Sequence, residues 1–400
     1  MMFLYLMVIA SILTQAVIVF LVIRNYMYVL RKLNKTRTSY CSKTALIIPC
    51  KGIDTAFDKN IRSFYELDYN DYEIIFVTDS PEDAAYKRLL ALKEQFKGKT
   101  KAFNVRVLVA GSASQGSQKL HNLLCACRNA DKDVKVFAFA DSDACVGSNW
   151  LNGLVYPLRK ERHGVSSGYR WFVPLKNNFA TIALSVLNAK VAQLLGATAF
   201  NYAWGGSMAV RVDVFKKLGM DKIWQRAASD DLTISIAAKK ARLKVIFTPI
   251  CFVASYEQVD WPSFMEFARR QFLITRITAP GKWWFGFLSG LYSVLSVWGF
   301  AGLALYLWSR GSENWHIFLL TALLSLAGQF LNAILRQKMI FRIFSADWQR
   351  MKIAAIADIA GNLFWSWLML FCIVYSSVGR TIKWRGVRYK LKGPTEVVRL

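Results

Sequence analysis

The sequence predicts an α/β protein with a mostly parallel sheet, held between membrane-spanning helices at its N- and C-terminal ends. Three observations carry this. Long uncharged apolar runs sit at the two ends of the 400-residue chain. Between them, short apolar runs bounded by turn residues alternate with helical patterns. Basic residues crowd beside the apolar runs instead of spreading evenly.

Residues 1–23 hold no charged side chain, and about 20 apolar residues span a bilayer. A cleaved signal peptide is the alternative, but no basic segment precedes the run and no A-x-A-like site follows it. An uncleaved span is therefore expected. Residues 24–43 form a basic linker, with Arg24, Arg31, Lys32, Lys35, Arg37 and Lys43. Such charge places the next unit, residues 44–260, in the cytosol. In that unit Ala45–Ile48 (closed by Pro49), Glu73–Thr78, Val105–Ala110 and Val134–Ala140 read as buried strands. Glu82–Phe96 and Ser117–Ala130 read as helices between them. Strands alternating with helices build a parallel sheet covered on both faces, and ligands bind beyond the carboxyl ends of its strands. Residues 261–282 read as an interfacial amphipathic helix.

Apolar runs at about 283–309, 315–335 and 359–379 read as further spans, the first bordered by Trp283-Trp284 and Trp308. Tryptophans favour the two membrane–water borders. Residues 380–400 form a basic tail, with Arg380, Lys383, Arg385, Arg388, Lys390 and Lys392. Two expectations collide here. Four spans put the tail outside, whereas its charge belongs inside. Either one run is re-entrant or tail charge does not set the orientation.

Lys and Arg number 52 against 26 Asp and Glu, a net charge of +26. Such a balance suits nucleic acid, phosphate-bearing substrates or acidic lipid. The cations flank apolar runs and no compact basic–aromatic module is present, so an anionic membrane surface is favoured and nucleic acid is not expected. Seven scattered cysteines form neither a zinc pattern nor a disulfide framework. They fit a reducing cytosolic face. No Walker loop, nucleophile elbow or G-x-G-x-x-G is present.

Polar residues cluster where strands end. Glu73–Thr78 runs into Asp79, and Val134–Ala140 runs into Asp141-Ser142-Asp143. In an extended segment, residues i and i+2 point the same way, so Asp141 and Asp143 can offer oxygens to one Mg²⁺ or Mn²⁺. A solvated turn is the plain alternative. Asp230-Asp231 opens the helical run Leu232–Ala241. Acids there are often caps, but sugar transfer to a hydroxyl also needs a general base. Trp204-Gly205-Gly206-Ser207 precedes an expected helical run and lets backbone approach a ligand, unless it is a plain loop. Lys119, with His121 and Asn122, stands before the fourth strand and either meets a donor or lies on the surface. Arg269-Arg270 sits before the membrane, where arginine pairs with diphosphate or with lipid head groups.

In this order the motifs resemble membrane-bound GT-A glycosyltransferases, whose Rossmann-like unit has a mostly parallel sheet, and within them the ceramide glucosyltransferases. Lys51-Gly52-Ile53-Asp54 and Phe64-Tyr65-Glu66-Leu67-Asp68-Tyr69 are similar to that family's K-G-V-D and F-E-L-D-Y segments. Tyr72-Glu73 through Asp79, Lys119 to Leu123, and Asp141-Ser142 are similar to its first aspartate, K-x-N-N-L and second aspartate motifs. Asp230-Asp231 stands where the family has Glu-Asp. The tail Arg380-Thr381-Ile382-Lys383-Trp384-Arg385 with Arg388-Tyr389 looks like its R-T-I-x-W-R…R-Y ending. One motif departs. Against (Q/R)-x-x-R-W, Arg270 holds the arginine, while Phe267 and Gln271 replace its flanks.

The resemblance implies inverting transfer of glucose from UDP-glucose to the primary hydroxyl of a ceramide, giving glucosylceramide. It implies that Asp79 contacts the nucleotide and that Pro49, Lys51, Lys119, Asp141, Gly205, Gly206 and Arg270 line the nucleotide-sugar site. Asp141 and Asp143 would take the diphosphate and Mg²⁺ or Mn²⁺. Asp231 would be the general base, in a catalytic set with Asp230 and Arg270. The protein would be an integral, multi-pass protein of a bacterial inner membrane or a Golgi/ER-type membrane, with its catalytic unit cytosolic. The same fold with another acceptor, a hopanoid-type lipid or diacylglycerol, is the nearest alternative. A polysaccharide synthase would want more spans and an intact Q-x-x-R-W motif. A transporter or scaffold would leave the strand-end aspartates without a role, and the uncharged spans lack the ionisable groups of transport paths.

Overall fold

The computed structural model describes residues 2–33 and 40–400. The linker cations Lys35 and Arg37 lie outside them. The first helix, α1 (Met2–Leu33), is 32 residues long, about 48 Å at 1.5 Å per residue. It therefore outruns the expected 1–23 and carries Arg24, Arg31 and Lys32 on its last turns. Val29 near its end is buried against the α/β unit.

That unit is built on a seven-stranded sheet. Its strands are β1 (Thr44–Pro49), β2 (Tyr72–Thr78), β3 (Asn104–Val109), β4 (Val136–Ala140), β5 (His163–Pro174), β6 (Ser207–Arg211) and β7 (Lys244–Glu257). Their order is β3-β2-β1-β4-β6-β5-β7. The four sequence-predicted strands all form, within two residues of their expected ends. β1 pairs in parallel with β2 and β4, and β2 with β3. β5 pairs in parallel with β7, while β6 runs antiparallel to both β4 and β5. β1, β2 and β4 are almost wholly buried, because helices cover both faces.

The helices include α2 (Phe57–Tyr65), α3 (Ala84–Gln95), α4 (Gln118–Asn129), α5 (Phe179–Ala192) and α6 (Asp230–Lys240). Side-chain oxygens of Ser117 and Ser229 cap α4 and α6 by accepting from Leu120 and Leu232 amides. One apolar core lies under α2 and α3, with Ile48, Phe64 and Trp150. The other lies under α4 and α6, with Leu123, Phe139 and Trp224.

Over the segment expected at 261–282 a helix forms as α7 (Trp261–Thr278), capped by Asp260 and ending four residues early. Among the described residues, three helices are long and apolar enough to cross a membrane: α1, α8 (Pro280–Ser309) and α9 (Trp315–Ile343). The third expected C-terminal run differs. Instead of one helix over 359–379, α10 (Ser345–Ala360) and α11 (Asn362–Tyr375) meet at Gly361 and bend by 89°. At this elbow Arg336 of α9 forms a bidentate pair with Asp358, which also accepts from Gln337. A buried carboxylate is tolerated when it is compensated in this way.

The basic tail is not a strip of loose charge. It folds as an antiparallel sheet of β8 (Thr381–Trp384), β9 (Val387–Gly393) and β10 (Glu396–Arg399). Ile382, Tyr389, Leu391 and Val397 form its apolar face and pack on Ala228 and Leu273. The Val397 amide donates to the Arg226 carbonyl at 2.8 Å, so the tail is pinned to the catalytic unit. Arg385 and Gly386 have φ of 48° and 81°. Two left-handed residues make the primed turn that matches the twist of a hairpin.

Candidate active site

The order β2-β1-β4 reverses direction at β1, so a crevice opens beyond the ends of β1 and β4. Sequence-predicted residues from four segments (Lys119, Asp141, Gly205-Gly206 and Asp230-Asp231) meet there, with Lys51 and Asp79 at its mouth. β6 explains the convergence. Running antiparallel, it starts beside the end of β4, with Ser207 opposite Ala140. Trp204-Gly205-Gly206 thus enters a strand, not the expected helix, and is laid against Asp141.

The fit is close at both glycines. A methyl group on Gly206 would stand 2.7 Å from Asp141 Oδ2 and 2.2 Å from the Trp204 ring. One on Gly205 would stand 2.2 Å from Asp230 Oδ2. Only hydrogen fits in these places.

Lys119, on the first turn of α4, reaches Asp141 Oδ1 at 2.7 Å and Asp230 Oδ2 at 3.0 Å. It is therefore no surface lysine. Burial opposes its charge, but Asp141 and Asp230 hold the ammonium well above its ordinary pKa. For Asp141, burial is overcome by Lys119 and Arg170, so its carboxyl stays below the usual range.

The Asp141-Ser142-Asp143 segment is a turn, closed by the Ala144 amide on the Asp141 carbonyl at 3.1 Å. This corrects the extended geometry expected from the sequence. The two carboxylates accordingly meet different partners. Asp143 Oδ2 lies 3.5 Å from Arg170, while its Oδ1 is buried with no hydrogen-bond partner. Burial pushes the Asp143 pKa up, against the pull of Arg170. Glu257 shares this environment, raised to about 7 by burial and then by Asp143.

A divalent ion can be tested against these groups. Among the described residues no cluster of three or more His, Cys, Asp or Glu could hold a metal alone. An orphaned carboxylate oxygen on Asp143, one turn from Asp141, nevertheless suits a hard cation whose other ligands come from a diphosphate and water.

Asp231 sits at the start of α6. Its Oδ1 accepts from Ser229 Oγ at 2.6 Å and the Leu232 amide at 2.7 Å. Its Oδ2 accepts from the Gly205 amide at 3.3 Å. Burial and then repulsion by Asp230 raise its pKa to about 6, against the pull of Ser229 and Lys119. Asp230, one position away, is spent on Lys119.

At the mouth, Lys51 pairs with Asp79 at 2.5 Å, just past Pro49 and the end of β1. Arg270 does not touch these carboxylates. Its guanidinium lies against the Phe267 and Trp384 rings at 5.6 and 5.5 Å. Burial, then Arg170, lowers its pKa to about 10.

Three residues missed by sequence reasoning belong to the site. Arg170 bonds Asp143 and stacks 4.7 Å over Trp204. Glu257 ends β7 beside it. Arg385, at the tip of the tail hairpin, grips Asp54 with two bonds of 2.8 Å. The K-G-I-D and R-T-I-x-W-R segments, far apart in sequence, are thus physically joined.

Solved structures similar to this chain include two glycosyltransferases. One is the mannosyltransferase PcManGT from Pyrobaculum calidifontis in complex with GDP-Man and Mn²⁺, at 14% identity and TM-score 0.47, covering 92% of this chain and 97% of that one. The other is GalNAc-T7 with UDP, GalNAc and Mn²⁺, at 15% identity and TM-score 0.41, covering 57% and 48%. Residues 4–397 match the family model of Glycosyl transferase family 21. The chain therefore belongs to glycosyl transferase family 21, the ceramide glucosyltransferase family, and is a sugar-transferring enzyme.

Proposed function

We propose that the enzyme transfers glucose from UDP-glucose, with inversion, to the hydroxyl of a membrane lipid, ceramide, giving glucosylceramide. One observation carries the reading. Asp231 is a carboxylate raised to about 6 and oriented by Ser229 and the Gly205 amide, beside the Asp141–Lys119–Asp230 cluster. A base poised near neutral pH is what proton removal from an alcohol calls for.

In this reading, Asp79 and Lys51 bind the nucleotide end of the donor. Lys119 and Arg170 hold the aspartates in register, and Arg170, Arg270 and Arg385 surround the diphosphate with positive charge. Asp141 and Asp143 would hold Mg²⁺ or Mn²⁺, which when bound neutralises charge on the leaving diphosphate. Asp231 takes the proton of the lipid hydroxyl as its oxygen bonds to C1 of the sugar. The C1–O bond to UDP breaks on the opposite face, so the anomeric configuration inverts. The membrane setting spares the lipid from extraction into water, which costs about 0.8 kcal/mol per CH₂.

We also propose a multi-pass topology with the catalytic unit cytosolic. α1 crosses once, and α8 and α9 form a hairpin that returns. Because the tail sheet packs on the catalytic unit, both lie on one side, and the bent pair α10–α11 enters and leaves the same face. This reading reconciles the basic tail with the positive-inside rule.

The test is transfer by full-length protein in detergent, with labelled UDP-sugars, Mg²⁺ or Mn²⁺ and a lipid panel. Transfer from UDP-glucose to ceramide supports the proposal. Transfer only to diacylglycerol or a hopanoid-type lipid reassigns the acceptor. No transfer to any lipid overturns it.

A further inference from the structure

A second site lies on the membrane side of the tail. A cleft of about 460 Å³ opens between α7, the end of α11 and the tail sheet. Arg269, Arg270, Lys383 and Arg388 line it, against one carboxylate, Glu266. Lys383 and Arg388 stand directly opposite each other across β8 and β9. Like charges so placed repel. Among the described residues neither has a carboxylate within ion-pair distance. Arg269 fixes the geometry by donating to the Thr381 and Val378 carbonyls at 2.8 and 2.9 Å.

A different feature borders the cleft. Phe371, Val374, Tyr375 and Val378 run along the end of α11 as an exposed apolar strip, with Val378 at 73% exposure. Phe371 and Tyr375 stack in parallel, with ring centres 6.1 Å apart. An unpaired dication beside an apolar strip at the end of a membrane-inserted helix matches an amphiphile with an anionic head.

We propose that this cleft binds the phosphate of an anionic phospholipid, with Lys383 and Arg388 on the phosphate and the acyl chains along Phe371, Val374, Tyr375 and Val378. The volume exceeds that of a bare phosphate and admits part of the glycerol backbone. The cleft shares Arg270 with the proposed sugar-transfer site, but the phosphate is assigned to Lys383 and Arg388, which that reading does not use, so the proposal does not rest on it.

The experiment follows lipid retention by native mass spectrometry of the full chain in neutral detergent, without donor. Phosphatidylglycerol, phosphatidylcholine and inorganic phosphate are added in turn. The wild type is expected to retain phosphatidylglycerol. The double variant K383Q/R388Q should retain it about 30-fold less tightly, from about 1 kcal/mol per removed charge. Phosphatidylcholine retention should not change, and excess inorganic phosphate should not displace the lipid. The K383R/R388K variant should keep the site. Equal phosphatidylglycerol affinity in wild type and K383Q/R388Q overturns the proposal. So does saturation by inorganic phosphate alone, which would mark a free-anion site. Loss of retention in K383R/R388K would show that tail folding, not charge, is being measured, and also overturns it.

Discussion

Replacing Asp231 with Asn separates what this carboxylate does for activity from what it costs in stability. Its pKa is raised from 3.8 to about 6. Two units at about 1.36 kcal/mol each amount to about 3 kcal/mol. Below pH 3.8 the carboxyl is protonated in both folded and unfolded chains, and the cost is absent. It grows as pH rises from 3.8 to about 6 and is complete above that. Asn removes the charge, but turns an NH₂ toward the Gly205 amide that Oδ2 now accepts from. An unmade hydrogen bond there costs about 1 kcal/mol. D231N should therefore be more stable than wild type by about 2 kcal/mol at pH 8 and slightly less stable at pH 4. Thermal unfolding of both proteins in detergent across that range measures the crossover. Activity moves the other way. Wild-type kcat/KM should fall as pH drops through about 6, and D231N should lose about 10² to 10⁴ in rate at every pH. A stability difference that ignores pH, or activity within tenfold of wild type, would refute the reasoning.

Other outcomes follow from the same geometry. Gly206→Ala forces a methyl group into the Trp204 ring and Asp141; circular dichroism should be unchanged, while unfolding free energy drops by about 1–3 kcal/mol and kcat collapses. Lys119→Met leaves Asp141 and Asp230 facing each other without a cation, a loss of about 3–5 kcal/mol that adding Asp230→Asn should partly restore in denaturation experiments. Arg385→Ala breaks a partly exposed pair with Asp54 and should cost about 1 kcal/mol or less. Its measurable effect is faster proteolysis of the tail hairpin, and Asp54→Ala should add little to it in a double-mutant cycle.

Four of the seven sheet strands are legible in the sequence, and three of them, β1, β2 and β4, read as unbroken apolar runs because they are buried on both faces. β5 and β6 are not legible, since Ser166-Ser167-Gly168 and the five-residue Ser207–Arg211 carry no such run. Their assignment depends on pairing with β4 and β7, which is tertiary information. The site carboxylates were legible as types at strand ends, but their partners were not. Nothing local announces that Lys119 reaches Asp230 over more than a hundred residues, or that Arg170 meets Asp143. The tail did carry a signal. Ile382, Trp384, Tyr389 and Leu391 alternate with cations at the strand period of two, and the dense positive charge of the segment masks that alternation in its composition. The elbow at Gly361 was hidden because an 89° bend leaves an apolar run looking continuous in composition.

The pinning of Val397 to Arg226 has a consequence for biogenesis. Domains generally fold from the N-terminus as synthesis proceeds, yet Ala228 and Leu273 gain their apolar cover only from β8 to β10. The clamp of Arg385 on Asp54 likewise closes only once the tail hairpin has been made. A nascent chain is thus inserted and largely folded before its active site is braced. A chain cut short ahead of residue 381 loses Ile382, Tyr389, Leu391 and Val397 and leaves that face uncovered by them. An exposed apolar patch of this kind invites association with other chains, so the tail sheet protects the unit it packs on.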